Sequence, residues 1–377
     1  MSIEFRYLSE KDMIKAGVKD MHACVETCEE AYKLLGTGDY VMGGKLHNSH
    51  GISLTFPDDP PFPGMPKNAP DRRFFAMPAY LGGKFHLCGE KWYGSNTENP
   101  KKKLPRSILM LTLNDPDTGA PVAYMSANIL SAMRTGAVPG VAAKYLAREN
   151  AKVVTLVGPG VINRTALMAF LDVRPSIDTV KLKGRGMESL NRMSDFIKEN
   201  CPQVKEVTIC DTMDEAIADS DIVSMGTSGA DPEVNSKYLK DGVLFLGSSR
   251  FKMDDDFFVN RCQPVVDNWG IYESNLLERG EEFPEGGFRH NDGSGNRLLG
   301  MYFLDYVHEG VRKREDIWSM PDVIAGKYIR TADTQSFACA CYGMPVWDVA
   351  WGAAVLSNAK KNDIGTVLKL WDTPDMY

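Results

Sequence analysis

The stretch Ala151-Lys-Val-Val-Thr-Leu-Val-Gly-Pro-Gly-Val-Ile-Asn163 decides the fold of this chain. A run rich in β-branched residues leads directly into Gly158-x-Gly160-x-x-Asn163, and a helical pattern follows over Arg164–Leu171. This order of strand, glycine-rich turn and helix is typical of the first unit of a dinucleotide-binding parallel sheet. The alternative is a glycine turn with a purely structural role.

Each position of the turn has a physical role. Gly158 permits the tight turn, and Gly160 lets backbone N–H groups approach a pyrophosphate. Val161 and Ile162 open the helix, whose positive N-terminus faces the phosphates. Asn163 replaces the usual third glycine, so its side chain can hydrogen-bond at the helix start while the closest helix–strand approach is compromised. We predict that all five residues bind the cofactor.

The end of the second predicted strand decides between NAD and NADP. An NAD site usually has Asp or Glu there, about 20 residues past the glycines, to bind the ribose hydroxyls. Here the sequence is Lys181-Leu-Lys183-Gly-Arg185. Lys183 and Arg185, with no carboxylate beside them, fit a 2′-phosphate and predict NADP rather than NAD. The alternative is that both cations are solvated side chains at a strand end.

Downstream of Ala151, short apolar runs alternate with helical patterns, which indicates a parallel sheet covered by helices. The predicted strands are Val153–Val157, Thr179–Lys183, Glu206–Cys210, Asp221–Ser224 and Gly242–Leu246. The predicted helices between them are Arg164–Leu171, Met187–Glu199 and Met213–Ile217.

Upstream, the sequence predicts a separate α+β domain. Ser2–Leu113 combines an N-terminal helical stretch with strand-like runs at Arg73–Met77, Lys84–Trp92 and Ile108–Asn114. Thr55–Arg73, rich in Pro, Asp and Gly, predicts an irregular loop that is either a lid or an inert insertion. A second irregular stretch is expected at Glu281–Asn296.

Composition excludes several classes of function. Of 377 residues, 43% are hydrophobic and 25% charged, and the net charge is -7, which disfavours disorder and a nucleic-acid partner. No apolar run approaches the roughly 20 residues of a membrane helix. The eight cysteines and six histidines do not complete a metal-ligand set, so no metal is expected. Without a signal-peptide pattern, we expect free thiols and a cytoplasmic protein.

Several separated motifs resemble the ornithine cyclodeaminase and mu-crystallin family. They include Phe75-Ala-Met-Pro-Ala79, Gly89-Glu-Lys91, Asn96-Thr-Glu-Asn-Pro100 and the stretch from Ser131 to Ala147 that contains Arg134-Thr135. The glycine-rich turn, Asp221-Ile-Val-Ser224, Phe337–Asp348 and Ile364-Gly365 continue the match in the same order. The resemblance therefore covers most of the chain.

The resemblance implies a homodimer that acts at the α-carbon of a small amino acid or imino acid. The predicted fold class is α/β, with a Rossmann-type NAD(P)-binding domain plus an α+β substrate-binding and dimerisation domain. The Rossmann domain is expected at residues 131–327, and the substrate domain at 1–130 and 328–377.

In the family pattern, Lys91 is the lysine beside the reacting centre and Arg134 grips the substrate carboxylate. The chemistry supports both roles, because Arg offers a bidentate fork to a carboxylate and a desolvated Lys exchanges protons near neutrality. The alternative is a surface salt-bridge pair. The resemblance also implies a substrate contact for Met77, and cofactor contacts for Thr135 and Thr227.

A second family arginine corresponds approximately to Lys45, a point charge in place of a fork. We assign Lys45 to the substrate site, with Arg72 and Arg73 as residues able to compensate for the missing arginine.

One departure favours a reductase over a cyclodeaminase. Ornithine cyclodeaminases carry an Asp after a Gly-Gly pair, where this chain has Gly247-Ser-Ser249-Arg250, similar to mu-crystallin-like reductases. Ser249 is expected to contact the cofactor. The acidic run Asp254–Asp256 replaces the missing carboxylate only if the loop turns back into the pocket.

We therefore predict an NADP-dependent oxidoreductase acting on the C–N bond of an amino acid or α-imino acid. Two alternatives remain: a cyclodeaminase-type lyase that uses bound NAD(P), and a protein that binds NADP and a small carboxylate without turnover. The presence of both Lys91 and Arg134 favours catalysis.

Overall fold

The computed structural model describes residues 2–228, 231–278 and 298–376, and the chain divides into two compact units. The first unit comprises Met1–Asp20, Thr37–Arg134 and Met344–Tyr377. The second comprises Met21–Gly36 and Thr135–Gly343. The divisions thus fall at 20/21, 36/37, 134/135 and 343/344, and the last two compare with expected limits at 130/131 and 327/328. The expected substrate domain had included Met21–Gly36, which belongs to the second unit. The stretch predicted to be irregular at 281–296 lies outside the described residues.

The first unit is built on a mixed eight-stranded sheet. Its strands are β1 (Ile3–Leu8), β2 (Tyr40–Met42), β3 (Ile52–Thr55), β4 (Arg73–Leu81), β5 (Leu87–Ser95), β6 (Ser107–Asn114), β7 (Pro121–Ser126) and β18 (Thr366–Trp371). Their order is β18-β1-β7-β6-β5-β4-β2, and β3 pairs with β4. This unit also contains the short helix Glu10–Lys15 and the 3-10 turn Asn99–Lys102.

The helix Pro345–Lys361 packs on the sheet of the first unit with little space between them. A Cβ added at Gly352 would lie 2.5 Å from Leu111, and one added at Gly89 would lie 2.9 Å from Val349. Both distances are shorter than side-chain contacts allow, so glycine at these two positions permits the helix to approach β5 and β6. This approach brings the first turn of the helix down onto the sheet.

The second unit contains an all-parallel sheet of eight strands. They are β8 (Val153–Val157), β9 (Thr179–Lys183), β10 (Glu206–Ile209), β11 (Ile222–Met225), β13 (Leu244–Gly247), β15 (Cys262–Val266), β16 (Trp318–Ser319) and β17 (Ser336–Ala340). The order is β10-β9-β8-β11-β13-β17-β15-β16. Its first five strands follow the 3-2-1-4-5 order of a Rossmann fold, which confirms the predicted fold class, and β17, the last of the eight in the chain, takes the sixth place. The strands β12 (Glu233–Val234) and β14 (Lys252–Met253) pair separately.

Helices flank this parallel sheet. They are Met21–Thr37, the second half of Asn128–Leu146, Val161–Val173, Met187–Asn200, Met213–Ile217, Trp269–Glu278, Leu299–His308 and Met320–Ile324. Short 3-10 turns occur at Ser236–Tyr238 and Arg314–Asp316, and a π-turn occurs at Phe257–Arg261. Within the described ranges, no helix combines the length and hydrophobicity needed to cross a membrane.

The structure corrects several predicted boundaries. The strand expected at Lys84–Trp92 begins at Leu87, because His86 has a φ of 41° and belongs to the preceding turn. The strand expected at Arg73–Met77 continues to Leu81. Cys341 lies just beyond β17, and all eight cysteines are free thiols. Among the described residues, no group of His, Cys, Asp or Glu could hold a metal ion.

Candidate functional site

Lys91 and Arg134 lie in one buried cluster of the first unit, where both contact Asp348. Lys91 Nζ donates to Asp348 Oδ2 at 2.9 Å, and Arg134 Nε donates to Asp348 Oδ1 at 2.9 Å. Ser131 Oγ lies 3.2 Å from Lys91 Nζ and 3.3 Å from Arg134 Nη2. The side chains of Lys91, Arg134 and Asp348 are 3%, 5% and 0% exposed. They do not form a surface salt bridge.

Three elements supply this cluster. Lys91 lies on β5, directly opposite the buried Met77 of β4. Ser131 and Arg134 are one turn apart on the helix Asn128–Leu146, so they share a face. Asp348 lies in the first turn of Pro345–Lys361, where the helix dipole favours a carboxylate.

The electrostatics of the cluster prepare Lys91 to exchange a proton. Burial, together with the neighbouring Arg134 charge, lowers the pKa of Lys91 to about 8, although Asp348 acts in the opposite direction. Burial alone would raise the pKa of Asp348, but Arg134 and Lys91 hold it below its ordinary value. At neutral pH the site therefore contains an ionised carboxylate, a permanent guanidinium cation and a lysine close to its titration range.

The glycine-rich turn of the second unit has the geometry that a pyrophosphate requires. Gly158 has a φ of 97°, and an added Cβ would lie 2.5 Å from the Gly226 carbonyl oxygen. Gly160 caps the helix Val161–Val173, and a Cβ there would meet only open space within 4 Å. The first residue is thus needed for the turn, and the second leaves room beside the helix N-terminus.

Asn163 joins the start of the helix to the neighbouring strands through side-chain hydrogen bonds. Its Nδ2 donates to the carbonyl oxygens of Val157 at 2.8 Å and Gly158 at 2.9 Å. Ser224 Oγ donates to Asn163 Oδ1 at 2.7 Å. The side chain is fully buried, so it spans the space that a third glycine would have closed.

Thr227 and Ser249 meet at the carboxyl edge of the parallel sheet. Thr227 N donates to Ser249 Oγ at 3.0 Å, and their hydroxyl oxygens are 3.1 Å apart. They follow the adjacent strands β11 and β13, next to β8 and its glycine-rich turn. Ligands of Rossmann folds bind at this edge.

The two predicted 2′-phosphate ligands differ in their surroundings. Lys183 Nζ donates to the carbonyl oxygens of Asp211 at 2.5 Å and Cys210 at 3.4 Å, so its ammonium group ties β9 to the residues after β10. Within the described ranges, Arg185 Nη2 donates a single long bond, 3.5 Å, to the Ser228 carbonyl. Arg185 is therefore the better placed of the two to receive an additional anion.

Other predicted residues lie elsewhere. Lys45 is exposed in the bend between β2 and β3, whereas Thr135 follows Arg134 in the same helix but belongs to the second unit. Asp254 accepts bonds from the backbone N and the Oγ of Ser236, at 3.0 and 2.6 Å. Tyr306 donates to Asp255 at 2.8 Å.

Asp348 and Ser131 are site residues that sequence reasoning missed. Asp348 stood in the matched segment Phe337–Asp348, within the apolar run Pro345-Val-Trp-Asp-Val-Ala-Trp351. A lone carboxylate in a strongly apolar helix needs a cationic partner when it is buried. That pattern was the available signal.

The family model described as the ornithine cyclodeaminase/mu-crystallin family matches residues 17–363. The chain belongs to this family. It is 26% identical to N-((2S)-2-amino-2-carboxyethyl)-L-glutamate dehydrogenase of Staphylococcus aureus over 373 residues, 98% of this chain and 100% of the relative. It is 34% identical to Delta(1)-pyrroline-2-carboxylate reductase of Bacillus cereus over 205 residues, 52% of this chain and 60% of the relative.

Two solved structures share the fold. An archaeal alanine dehydrogenase dimer with bound NAD has a TM-score of 0.75 and 23% identity, covering 98% of this chain and 100% of the other. Delta(1)-pyrroline-2-carboxylate reductase of Thermococcus litoralis, in complex with NADH and L-proline, has a TM-score of 0.74 and 23% identity, covering 96% and 99%. The family match and its dehydrogenase and reductase relatives confirm the predicted class, an NAD(P)-dependent oxidoreductase of this family.

Replacing Asn163 with Leu should lower the free energy of unfolding by about 3 kcal/mol. The change leaves the Gly158 carbonyl and the Ser224 hydroxyl without their Asn163 partner, at about 1–3 kcal/mol for each buried unsatisfied group, whereas the Val157 carbonyl keeps its bond from the Gly226 N–H. Urea unfolding followed by circular dichroism measures this loss. Ser224→Ala, which removes one bond, is the control, and an equal effect of both variants would contradict the role given to Asn163.

The lowered pKa of Lys91 predicts a pH-dependent stability. Between about pH 8 and its ordinary pKa of 10.5, unfolded Lys91 holds a proton that the folded state has released. Because the unfolded state then binds more protons, the free energy of unfolding of the wild type rises with pH relative to Lys91→Met. Urea titrations at pH 7.5 to 10 test this, with Lys19→Met as an exposed-lysine control. A constant difference between wild type and Lys91→Met over this range would refute the assignment.

Proposed function

We propose that the protein transfers a hydride between NADP and the α-carbon of an amino acid or α-imino acid, and so acts on its C–N bond. The observation that carries this proposal is the buried Lys91–Asp348–Arg134 cluster. It combines a lysine able to exchange a proton with a guanidinium fork able to hold a carboxylate. The dehydrogenase and reductase names of the relatives support the same class of reaction.

Arg134 positions the substrate in this mechanism. Its bond to Asp348 fixes the orientation of the guanidinium group, which binds the α-carboxylate and directs the reacting carbon. Such orientation supplies much of the rate of a reaction between two bound partners, on the order of 7 kcal/mol or more.

Lys91 moves the proton at the substrate nitrogen. In reduction, its ammonium group donates a proton to the nitrogen as the C=N bond becomes a C–N bond, and in oxidation the neutral amine takes the proton back. A bound dinucleotide would supply or accept the hydride through its nicotinamide. Asp348 keeps its negative charge throughout and prevents the two cations from repelling each other across the site.

The second unit fits a dinucleotide, and we propose that it binds NADP in preference to NAD. Gly160 leaves open space at the N-terminus of a 13-residue helix, where a pyrophosphate would receive backbone N–H groups. Arg185 follows β9, and no carboxylate stands between Lys183 and Arg185 to accept the ribose hydroxyls of NAD. Thr227 and Ser249 would hold the ligand further along the same edge of the sheet.

We also propose that the protein acts as a homodimer. The archaeal alanine dehydrogenase of similar fold is a dimer. The first unit exposes apolar side chains on β18, including Val367, Leu370 and Trp371, which are 50%, 45% and 37% exposed. Exposed apolar groups on an edge strand are typical of a surface that a second subunit covers.

The loop after β13 argues against cyclodeamination. That reaction needs a base for the terminal ammonium group of the substrate, and Gly247–Arg250 supplies hydroxyl groups and a cation instead. Asp254, the nearest carboxylate along the chain, is bound by Ser236.

Lys91→Met should lower kcat at least a hundredfold, since proton transfer by a positioned side chain contributes about 10²–10⁴. NADP affinity should not change, because Ser131 and Asp348, the residues that bind the Lys91 ammonium group in the described part of the chain, belong to the first unit. The assay is NADPH oxidation with a panel of 2-oxo acids and amines, and calorimetry measures NADP binding. Arg134→Lys should instead raise KM at least tenfold, because an ammonium group cannot replace the fork. Full turnover by Lys91→Met would remove this residue from the mechanism.

The wild type should bind NADPH at least tenfold more tightly than NADH. A hydrogen bond to a charged group contributes about 1.5–3 kcal/mol, so Arg185→Ala should lose about tenfold or more in NADPH affinity and none in NADH affinity. Lys183→Ala is the matched control and should affect both dinucleotides equally, because its ammonium group binds backbone carbonyls. Calorimetry with both dinucleotides decides the outcome, and an equal affinity in the wild type would overturn the choice of NADP.

A further inference from the structure

A row of two stacked aromatic rings between two cations extends from Lys91 along one face of the sheet in the first unit. The register of β4 and β5 pairs Met77 with Lys91, Phe75 with Tyr93, and Arg73 with Ser95. Directly paired residues of antiparallel strands point to the same face. Arg73 therefore shares a face with Lys91, four residues further along the strand direction.

Contacts between the side chains make this row continuous. Lys91 Nζ lies 5.7 Å from the Tyr93 ring centroid, and the rings of Tyr93 and Phe75 stack at 5.6 Å with an interplanar angle of 21°. The Arg73 guanidinium carbon lies 5.5 Å from the Phe75 ring centroid. A flat aromatic wall thus connects two cationic groups. At about 3.2–3.4 Å per residue of strand, the backbone positions of the two ends are about 13 Å apart.

The Arg73 end of the row carries an excess of positive charge. Asp71 lies 3.3 Å from Arg73 Nη2, and its other oxygen accepts from Arg106 Nε at 2.8 Å and from Ser95. One carboxylate is thus shared between two guanidinium groups. Among the residues that the structure describes, none accepts a hydrogen bond from the buried Nε of Arg73. The side chain as a whole is 42% exposed, so a ligand can reach it.

We propose that Arg73, with the aromatic wall of Tyr93 and Phe75, is a second carboxylate subsite that selects substrates with a distal carboxylate. The inference rests on the proposed reaction at Lys91 and Arg134. A hydrogen bond of about 3 Å between the ligand and the cation at each end leaves about 7 Å between the two terminal polar atoms of the ligand. This is the extended length of about five single bonds. The substrate class is then an amino or imino acid with a carboxylate about that far from its reacting nitrogen, while Arg134 holds the α-carboxylate.

The distal carboxylate has two chemical sources, which matched substrate pairs distinguish. If it belongs to the 2-oxo acid, 2-oxoglutarate should be preferred to 2-oxopentanoate, which has a methyl group in its place, with ammonium as the amine. If it belongs to the amine, L-2,3-diaminopropionate should be preferred to ethylenediamine, with pyruvate as the 2-oxo acid. In each pair the reacting end is the same.

The experiment compares kcat/KM for both pairs in the wild type, Arg73→Met and Arg106→Met. The wild type should prefer the carboxylate-bearing member at least tenfold in one pair, and Arg73→Met should reduce that preference to threefold or less, mainly through KM. Arg73→Lys should restore part of it. Arg106→Met is the matched control, because it removes the shorter of the two contacts to Asp71, and it should keep the preference.

Each contrary outcome has one meaning. Equal turnover of both members of each pair by the wild type would overturn the subsite. An equal loss of preference in Arg73→Met and Arg106→Met would also overturn it, because Arg73 would then act only by holding Asp71 in place. If no pair is turned over, the proposed reaction fails. The subsite is then tested by calorimetric binding of 2-oxoglutarate and diaminopropionate to the NADP-loaded protein. Arg73→Met should lower the affinity for one of these two ligands at least tenfold, and unchanged affinities would overturn the inference.

Discussion

The carboxylate of Asp348 is the constraint on which the rest of the site depends. Two like charges, Lys91 and Arg134, are buried together, and Coulomb repulsion in a medium of low dielectric would separate them or neutralise the lysine. One oxygen of Asp348 binds each cation, so both remain in place. The position of this carboxylate depends on the close approach of its helix to the sheet, which Gly89 and Gly352 allow.

The fold was predictable wherever a local pattern determined it. The strands at Val153–Val157 and Thr179–Lys183 have the predicted bounds, because β-branched runs ended by turn residues leave little alternative. The beginning of β5 was not predictable, since His86 adopts a left-handed conformation that nothing in its own chemistry requires. The strand order likewise depends on long-range pairing, and only the alternation of strands and helices indicated it.

The candidate site was predictable in its types of residue but not in their pairing. Lys91 and Arg134 stand in recognisable motifs, whereas their common partner lies 257 and 214 residues away along the chain, beyond any local pattern. Lys183 illustrates the opposite case. Its charge suggested a phosphate ligand, yet its ammonium group satisfies backbone carbonyls, which a sequence cannot display.

The chain order of the first unit has a consequence for biosynthesis. On the ribosome, Lys91 and Arg134 emerge long before Asp348, and Thr135–Gly343, the larger segment of the second unit, is translated in between. Until the helix Pro345–Lys361 leaves the exit tunnel, β4, β5 and β6 lack their covering helix and the two cations lack their carboxylate. The apolar face of the sheet in the nascent first unit is therefore exposed to solvent until then, and such exposed surfaces are prone to aggregation. Its docking with the last helix is a late, non-local step of folding.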